Sequence, residues 1–335
     1  MDSRALTVEE FLEEWNNASD KVLVHTSGST GKPKPMWVEK RRMEASARIT
    51  CQFLGLKEGD RALLCLPVDY IAGKMMVVRS VVWSLHLTCL EPSNHPFAAS
   101  KLSESGTPFD LVAMVPSQVY STLQVPQERE RLRQTRHLII GGGAVDEALQ
   151  QQLRDFPNFV WSTYGMTETL SHIAMRRINT PDSDGWYAPL PGVTVSTDPN
   201  GCLVIDAPAV HDGPLVTNDI ATIDNGRFRI LGRRDNVICS GGIKIQIEEV
   251  ERLLRPHLCA PFVITKAPDE RFGQQVVLLT EQDDVQQAAE VCRRVLPKYW
   301  QPRRIFSVDR IPMTATGKPA RAEAEKKATG LVRLG

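Results

Sequence analysis

An excess of charge of either sign is missing from this chain. Lysine plus arginine total 40, and aspartate plus glutamate total 40, so the net charge is zero. That removes the simplest electrostatic case for a nucleic acid or a membrane as partner. Paired cysteines are missing too. Cys51, Cys65, Cys89, Cys202, Cys239, Cys259 and Cys292 are scattered with no Cys-x-x-Cys spacing. This excludes a zinc framework and a disulfide scaffold, and it fits a reducing cytoplasm. No apolar run reaches the roughly 20 residues that a membrane-spanning helix needs, and the polar amino terminus does not read as a signal peptide. Internal repeats and low-complexity segments are absent as well. What is there is a chain of 335 residues, 42% of them hydrophobic, long enough for two domains with their own cores.

The hydrophobic pattern gives the architecture. Thr7 and Glu10 form a capping-box signature ahead of Val8, Phe11, Leu12 and Trp15 at helical spacing. Val22–His25 reads as a buried strand, and Glu39–Leu54 as a helix stopped by Gly55. Strand and helix patterns then alternate: strand 62–66, helix 71–84, strand 85–90, short helix 97–105, strand 111–115, helix 117–123, strand 138–140, helix 145–156 and strand 159–163. Such alternation predicts an α/β domain with a mainly parallel, covered sheet. From Pro189 short β runs joined by Asp/Asn/Gly turns predict a small antiparallel module. Past Gly232-Arg233-Arg234-Asp235 the pattern becomes a smaller α+β unit, with helices 247–255 and 284–296 and strands 262–266, 276–280 and 304–308. The expected division is a large domain over 1–232 and a smaller, mobile one over 233–335, with the hinge near 235.

In sheets of this kind ligands sit beyond the carboxyl ends of the strands. Three polar or Gly-rich strings fall there. The first, Thr26-Ser27-Gly28-Ser29-Thr30-Gly31-Lys32-Pro33-Lys34, packs hydroxyls, glycines and lysines into nine positions. Backbone N–H groups, hydroxyls and ammonium groups all suit phosphate oxygens, although a flexible linker has a similar composition. It is not the nucleotide-hydrolase P-loop, which needs four residues between its glycines and Ser or Thr after its lysine. The second, Gly141-Gly142-Gly143-Ala144, is a tight turn into a helix capped by Asp146. The third, Ser162-Thr163-Tyr164-Gly165-Met166-Thr167-Glu168-Thr169, offers an aromatic face, hydroxyls and a carboxylate suited to a hard cation. Three more strings follow: Thr217-Asn218-Asp219, Ser240-Gly241-Gly242-Ile243-Lys244 and Pro312-Met313-Thr314-Ala315-Thr316-Gly317-Lys318. Each alone reads equally as an ordinary turn or surface loop.

Taken together and in this order, the strings resemble those of the adenylate-forming superfamily of acyl-CoA synthetases and adenylation domains. The resemblance spans residues 26 to 318. It implies that Thr26, Ser27, Gly28, Ser29, Thr30, Gly31 and Lys34 hold the ATP phosphates. It places Tyr164 and Gly165 at adenine, Thr167 at the α-phosphate and Glu168 on Mg²⁺, and it makes Gly141, Gly142, Gly143 and Ala144 the wall between adenine and the acid. Asp219 and Arg233 bind the ribose, and Asp235 is the hinge. Ser240, Gly241 and Gly242 lie along the CoA channel. Lys318 bridges carboxylate and α-phosphate as the catalytic lysine.

Within the superfamily the pattern most resembles the o-succinylbenzoate–CoA ligases of menaquinone biosynthesis. The short region before the phosphate loop, Leu66-Pro67 with Ala72-Gly73, and Met114-Val115-Pro116-Ser117-Gln118 all lean that way. Two departures stand out. Only 25 residues precede the loop, where relatives have more. Tyr70 occupies the place of a histidine that many acyl-CoA ligases carry in the acid pocket, and Lys74 adds a cation there, the candidate for a second carboxylate. The implied partners are a small carboxylic acid, ATP and CoA, with no nucleic acid and no membrane; a homo-oligomer stays open. Rival readings are a related ligase for another aromatic or short-chain acid, one that loads a carrier-protein thiol, and a nucleotide-binding module without turnover.

Overall fold

The computed structural model describes residues 5–25, 35–98, 102, 108–181, 183–314 and 318–334. Its centre is a seven-stranded sheet. In spatial order the strands are His86–Cys89, Arg61–Leu64, Leu111–Met114, His137–Ile140, Phe159–Gly165, His172–Arg177 and Ala188–Pro189. The first five run parallel, and the last two are antiparallel additions. Every residue of Leu111–Met114 and His137–Ile140 is buried, as expected where helices cover both faces of a parallel sheet.

The period-2 alternation of the strands sorts their side chains to the two faces. Ala62, Leu64, Leu111, Ala113 and Ile139 join one core with Met43, Ala47 and Met75 of helices Lys40–Leu54 and Ile71–Trp83. Leu63, Val112, Met114, Leu138 and Ile140 join the other, with Val119, Leu149 and Leu153 of helices Pro116–Leu123 and Glu147–Leu153. The amino-terminal helix Val8–Asn16 has the capping box read from Thr7 and Glu10, and it buries Phe11 and Trp15.

A two-stranded ribbon, Lys21–His25 against Pro35–Glu39, stands apart from this sheet and frames residues 26–34. The segments Thr194–Thr197, Cys202–Asp206, Leu215–Asp224 and Arg227–Arg233 form the antiparallel four-stranded module. A bridge between Tyr187 and Phe228 ties it to the main sheet. Beyond it a last sheet orders Ile243–Gln246, Val237–Ser240, Gly273–Thr280 and Phe262–Asp269, and Arg304–Ser307 pairs parallel with Gly273–Thr280. Helices Ile247–Leu254, Val285–Val295 and Arg321–Leu334 cover it. Its two buried clusters draw only on residues from 238 onward, whereas the two earlier clusters take no buried residue beyond Phe228.

Several elements differ from the sequence reading. Pro35–Glu39 is a strand, and so is His172–Arg177. Pro126–Gln134 and Arg321–Leu334 are helices. The stretch read as the loop Ser240–Lys244 is the turn of a hairpin between Val237–Ser240 and Ile243–Gln246. Gly241 and Gly242 have φ of +56° and +83°, so both central residues sit where side-chain-bearing residues are disfavoured. In the described part of the expected helix 97–105 the backbone is 3-10, at the turn Pro96–Ala98 and at Leu102. No helix among the described residues is long and apolar enough to cross a membrane.

Candidate active site

The carboxyl ends of three adjacent parallel strands meet at one place. Met114 leads into Val115-Pro116, Ile140 into Gly141–Gly143, and Thr163 into Tyr164–Glu168. The glycines are required by what surrounds them. A Cβ on Gly141 would fall 2.6 Å from Thr163 Oγ1, and one on Gly142, whose φ is +75°, 3.2 Å from Val115 Cγ1. One on Gly165 would lie 2.2 Å from the Ser171 carbonyl oxygen. Gly141 and Gly142 therefore lie against the side chains of the two flanking strand ends, and Gly165 lies against the backbone of the turn that follows it. Asp146 then caps the following helix by accepting the Leu149 N–H at 2.9 Å.

Tyr164 is held on an aromatic base. Its ring meets Phe228 edge-on at 5.1 Å and Tyr187 at 5.9 Å. Tyr187 is fixed in turn by a 2.8 Å hydrogen bond between its hydroxyl and Ser162 Oγ. The Tyr164 hydroxyl donates to Asp219 Oδ2 at 2.6 Å. Burial first, then the adjacent Asp219 charge, pushes the phenol far above its usual range, so it stays a neutral donor. Asp219 also faces Arg233, whose Nη1 lies 3.8 Å from Oδ1, and Arg233 Nη2 reaches Asp235 Oδ2 at 2.9 Å. A chain of polar contacts thus runs from the main sheet, through the small β module, to Asp235 in the turn Arg234–Asn236.

Lys318 lies in the electrostatic reach of this chain. Its amide donates to Thr314 Oγ1 at 3.1 Å, and its carbonyl accepts the Thr314 N–H at 2.7 Å. Desolvation, and then the Arg233 charge, lowers the ammonium's pKa, while Asp219 pulls it back up. Thr167 and Glu168 occupy a single 3-10 turn that follows Tyr164–Met166; Thr167 is buried and Glu168 half-buried. Among the described residues no three acidic, histidine or cysteine side chains gather to cage a metal. A lone carboxylate suits Mg²⁺ that takes its other ligands from phosphates and water.

Other predicted positions fall elsewhere. Thr26, Ser27, Gly28, Ser29, Thr30, Gly31 and Lys34 lie outside the described residues, between the two strands of the ribbon. The turn at Ser240, Gly241 and Gly242 packs on Phe272, whose carbonyl accepts the Gly241 N–H at 2.9 Å. Tyr70 is the half-buried residue that precedes helix Ile71–Trp83. Lys74, the expected cation for a second carboxylate, is committed to the amino-terminal helix. It is 3% exposed, with Nζ 3.4 Å from Glu14 Oε2 and 4.4 Å from the Phe11 ring centroid. An ammonium already paired in a dry setting makes a poor ligand for an incoming anion.

A different cation on the same helix lacks such a partner. Arg79 is 2% exposed; its Nη2 donates to Ser171 Oγ at 2.5 Å, and its Nε finds no partner among the described residues. No carboxylate forms an ion pair with it among the described residues, and burial lowers its pKa to about 10. Beside it lies His172, whose Nε2 is 3.0 Å from Thr50 Oγ1 and whose pKa burial drives well down. The signal was one arginine inside the otherwise apolar run Met75-Met76-Val77-Val78-Arg79.

A family model described as AMP-binding enzyme matches residues 5–210. A 2-succinylbenzoate–CoA ligase from Geobacillus sp. (strain WCH70) is 28% identical over 352 aligned positions, covering 95% of this chain and 71% of that protein. Among solved structures, an acyl-CoA synthetase (AMP-forming)/AMP-acid ligase II-like protein from Dyadobacter fermentans is 34% identical, with a TM-score of 0.63 over 97% of this chain and 93% of the other. The o-succinylbenzoate CoA synthetase of Bacillus subtilis in complex with its acyl-adenylate intermediate is 26% identical. It has a TM-score of 0.77 and covers 90% of this chain and 68% of that one. The same synthetase with ATP and magnesium gives 25%, 0.75, 90% and 69%.

Proposed function

The chain belongs to the AMP-binding enzyme family, and on that premise we propose that it is an acid–CoA ligase working through an acyl-adenylate, with o-succinylbenzoate as its acid. The observation that carries the reading is the contact chain Tyr164–Asp219–Arg233 with Lys318 in its field. It brings together the aromatic face, the carboxylate and the two cations that an adenylate needs, from three regions of the chain: the end of the main sheet, one hairpin of the small β module, and the carboxy-terminal segment.

In the first half-reaction the acid's carboxylate oxygen attacks the α-phosphorus of ATP, and pyrophosphate leaves. Residues 26–34 bind the triphosphate. Asp219 accepts from the ribose hydroxyls, and the slot at Gly141–Ala144 takes the flat groups on either side. Lys318 donates to the oxygens on which negative charge builds, a preorganised interaction that costs little reorganisation in a dry site. Glu168 would hold Mg²⁺, which when bound neutralises phosphate charge. In the second half-reaction the CoA thiolate attacks the acyl carbonyl and AMP departs. For that step the carboxy-terminal part turns about Asp235, and the Gly241-Gly242 turn takes the place of Lys318.

The cation for the acid's remote carboxylate is Arg79. A buried guanidinium without an anion is costly, and a dicarboxylate supplies what it lacks. Mass spectrometry of products from ATP, Mg²⁺, CoA and a panel of acids tests the whole reading. AMP with o-succinylbenzoyl-CoA is the expected outcome. AMP formed only with a different acid would move the substrate, and transfer to a carrier-protein thiol but not CoA would move the acceptor.

A further inference from the structure

Glu14 occupies a junction that this reaction scheme leaves without a role. It lies on helix Val8–Asn16, and its two carboxylate oxygens point to different elements. Oε1 accepts the Leu23 N–H at 3.0 Å, and Oε2 faces Lys74 Nζ at 3.4 Å. Leu23 is the middle residue of Lys21–His25, so Glu14 caps an outer-edge N–H of the ribbon. Lys74 sits on the second turn of helix Ile71–Trp83, the helix that also carries Arg79.

Val22, Val24 and Val38 of the ribbon are buried in the same core as Phe11 and Met75, and Glu14 adds a polar tie to that packing. A two-stranded sheet is marginal alone, and this one does not join the seven-stranded sheet. Its inner ends, His25 and Pro35, are the two points between which residues 26–34 run. Whatever fixes the ribbon against the body therefore fixes both ends of that loop. A surface contact would do this weakly, but the Glu14–Lys74 pair is partly shielded: Lys74 is almost wholly buried, with Phe11 beneath its ammonium, and Glu14 is half-buried. At 3.4 Å the pair is long for a charged hydrogen bond, and its attraction is strengthened by the low dielectric around Lys74.

We propose that Glu14 is a positioning residue for the triphosphate: its carboxylate locks the strand pair framing residues 26–34 to helix Ile71–Trp83 and so sets the affinity for ATP without touching it. The proposal rests on the ligase reading in taking residues 26–34 as the phosphate loop. It concerns only the half-reaction that uses triphosphate, which separates it from a general stabilising role.

The full-length chain is the test object, with Glu14→Ala and Glu14→Gln. Three quantities are measured: the Kd of Mg·ATP by calorimetry, the KM for ATP in pyrophosphate release, and the rate of thioester formation from supplied acyl-adenylate and CoA. Glu14→Ala is expected to raise Kd and KM for ATP about tenfold while thioester formation stays within about twofold. Glu14→Gln, whose amide oxygen still accepts from Leu23, should recover part of the loss, to about threefold. An unchanged Kd for ATP overturns the proposal, and so does an equal fall in both half-reactions. If Glu14→Ala fails to fold, Glu14→Gln decides by the same two criteria. If the wild-type chain binds Mg·ATP yet releases no pyrophosphate with any acid, the ligase reading fails, and the ratio of ATP Kd values still judges Glu14. If the wild-type chain binds no ATP, both fall.

Discussion

Tyr164 and Asp219, 55 residues apart, share a 2.6 Å hydrogen bond that joins the end of the main sheet to the small β module. The acceptor is charged and the donor is locked neutral, so the bond is of the stronger kind, worth about 1.5–3 kcal/mol. Tyr164→Phe keeps the ring on Phe228 and removes this bond together with the hydroxyl's contact to Thr217. The KM for ATP should rise by about tenfold or more, and Asp219→Asn, which keeps an acceptor oxygen but no charge, should do less harm. Steady-state kinetics at saturating acid distinguishes the two.

Lys318 separates the half-reactions. Lys318→Ala should cost about two to three orders of magnitude in pyrophosphate release and leave the conversion of supplied acyl-adenylate to thioester near wild type. The ammonium must carry its proton to work, and desolvation lowers its pKa. Adenylation should therefore fall as pH rises, and at lower pH than a lysine of ordinary pKa would allow. A pH–rate profile of each half-reaction checks this, and the thioester half should not share that limb.

Arg79 and Lys74 trade opposite effects. Arg79→Met removes a buried cation with no anionic partner, so the apo protein should gain roughly 1–3 kcal/mol, less what is lost with the Ser171 hydrogen bond. The same change should raise the KM for a dicarboxylic acid far more than for a monocarboxylic one. The stability gain has a clear pH window: with a folded pKa of about 10, below the unfolded value, the penalty is constant through neutrality and would relax only above pH 10. Lys74→Ala should do the reverse. It removes the ionic partner of Glu14 Oε2 and lowers the melting temperature, while the KM for the acid stays put. Thermal unfolding and acid kinetics on both variants decide between them.

His137 predicts how the fold meets acid. Burial lowers its pKa to about 4; its Nδ1 accepts the Trp161 indole N–H at 3.4 Å, and its Nε2 has no partner among the described residues. In the unfolded chain the ring titrates near its ordinary value, so the unfolded state binds the extra proton first. Stability contributed by the neutral ring is present above that value and is lost as pH falls toward 4, by about 3 kcal/mol in all. His137→Leu should flatten the acid side of a stability-versus-pH curve.

The parallel sheet was legible because its strands are short apolar runs between helices of strong periodicity, and because Gly and Asp mark the turns. Leu138–Ile140 with its three glycines, and Asp146 as the cap, needed nothing beyond local chemistry. The hairpin at Val237–Gln246 is weakly signalled because each of its strands is only four residues long, too short for a clear alternation on either side of the two glycines. Pro126–Gln134 was missed because it is so polar that only Leu132 marks its buried face alongside Glu128. The cation for the acid's second carboxylate is where sequence spacing says least. Lys74 and Arg79 are both cations in an apolar helix, and sequence spacing cannot say which of them already has a carboxylate. Glu14, 60 positions upstream of Lys74, is what decides it.

The separation of the buried clusters at residues 228 and 238 has a consequence for how the molecule could be divided. Arg234 and Asp235 are exposed between them, so a cut there severs the connection and breaks neither core. The two pieces would then meet only by diffusion. A short tether holds its ends at millimolar effective concentration, and a nicked protein forfeits that. Lys318 would reach the nucleotide only when the fragments are mixed at comparable concentration, and adenylation would become second order in protein.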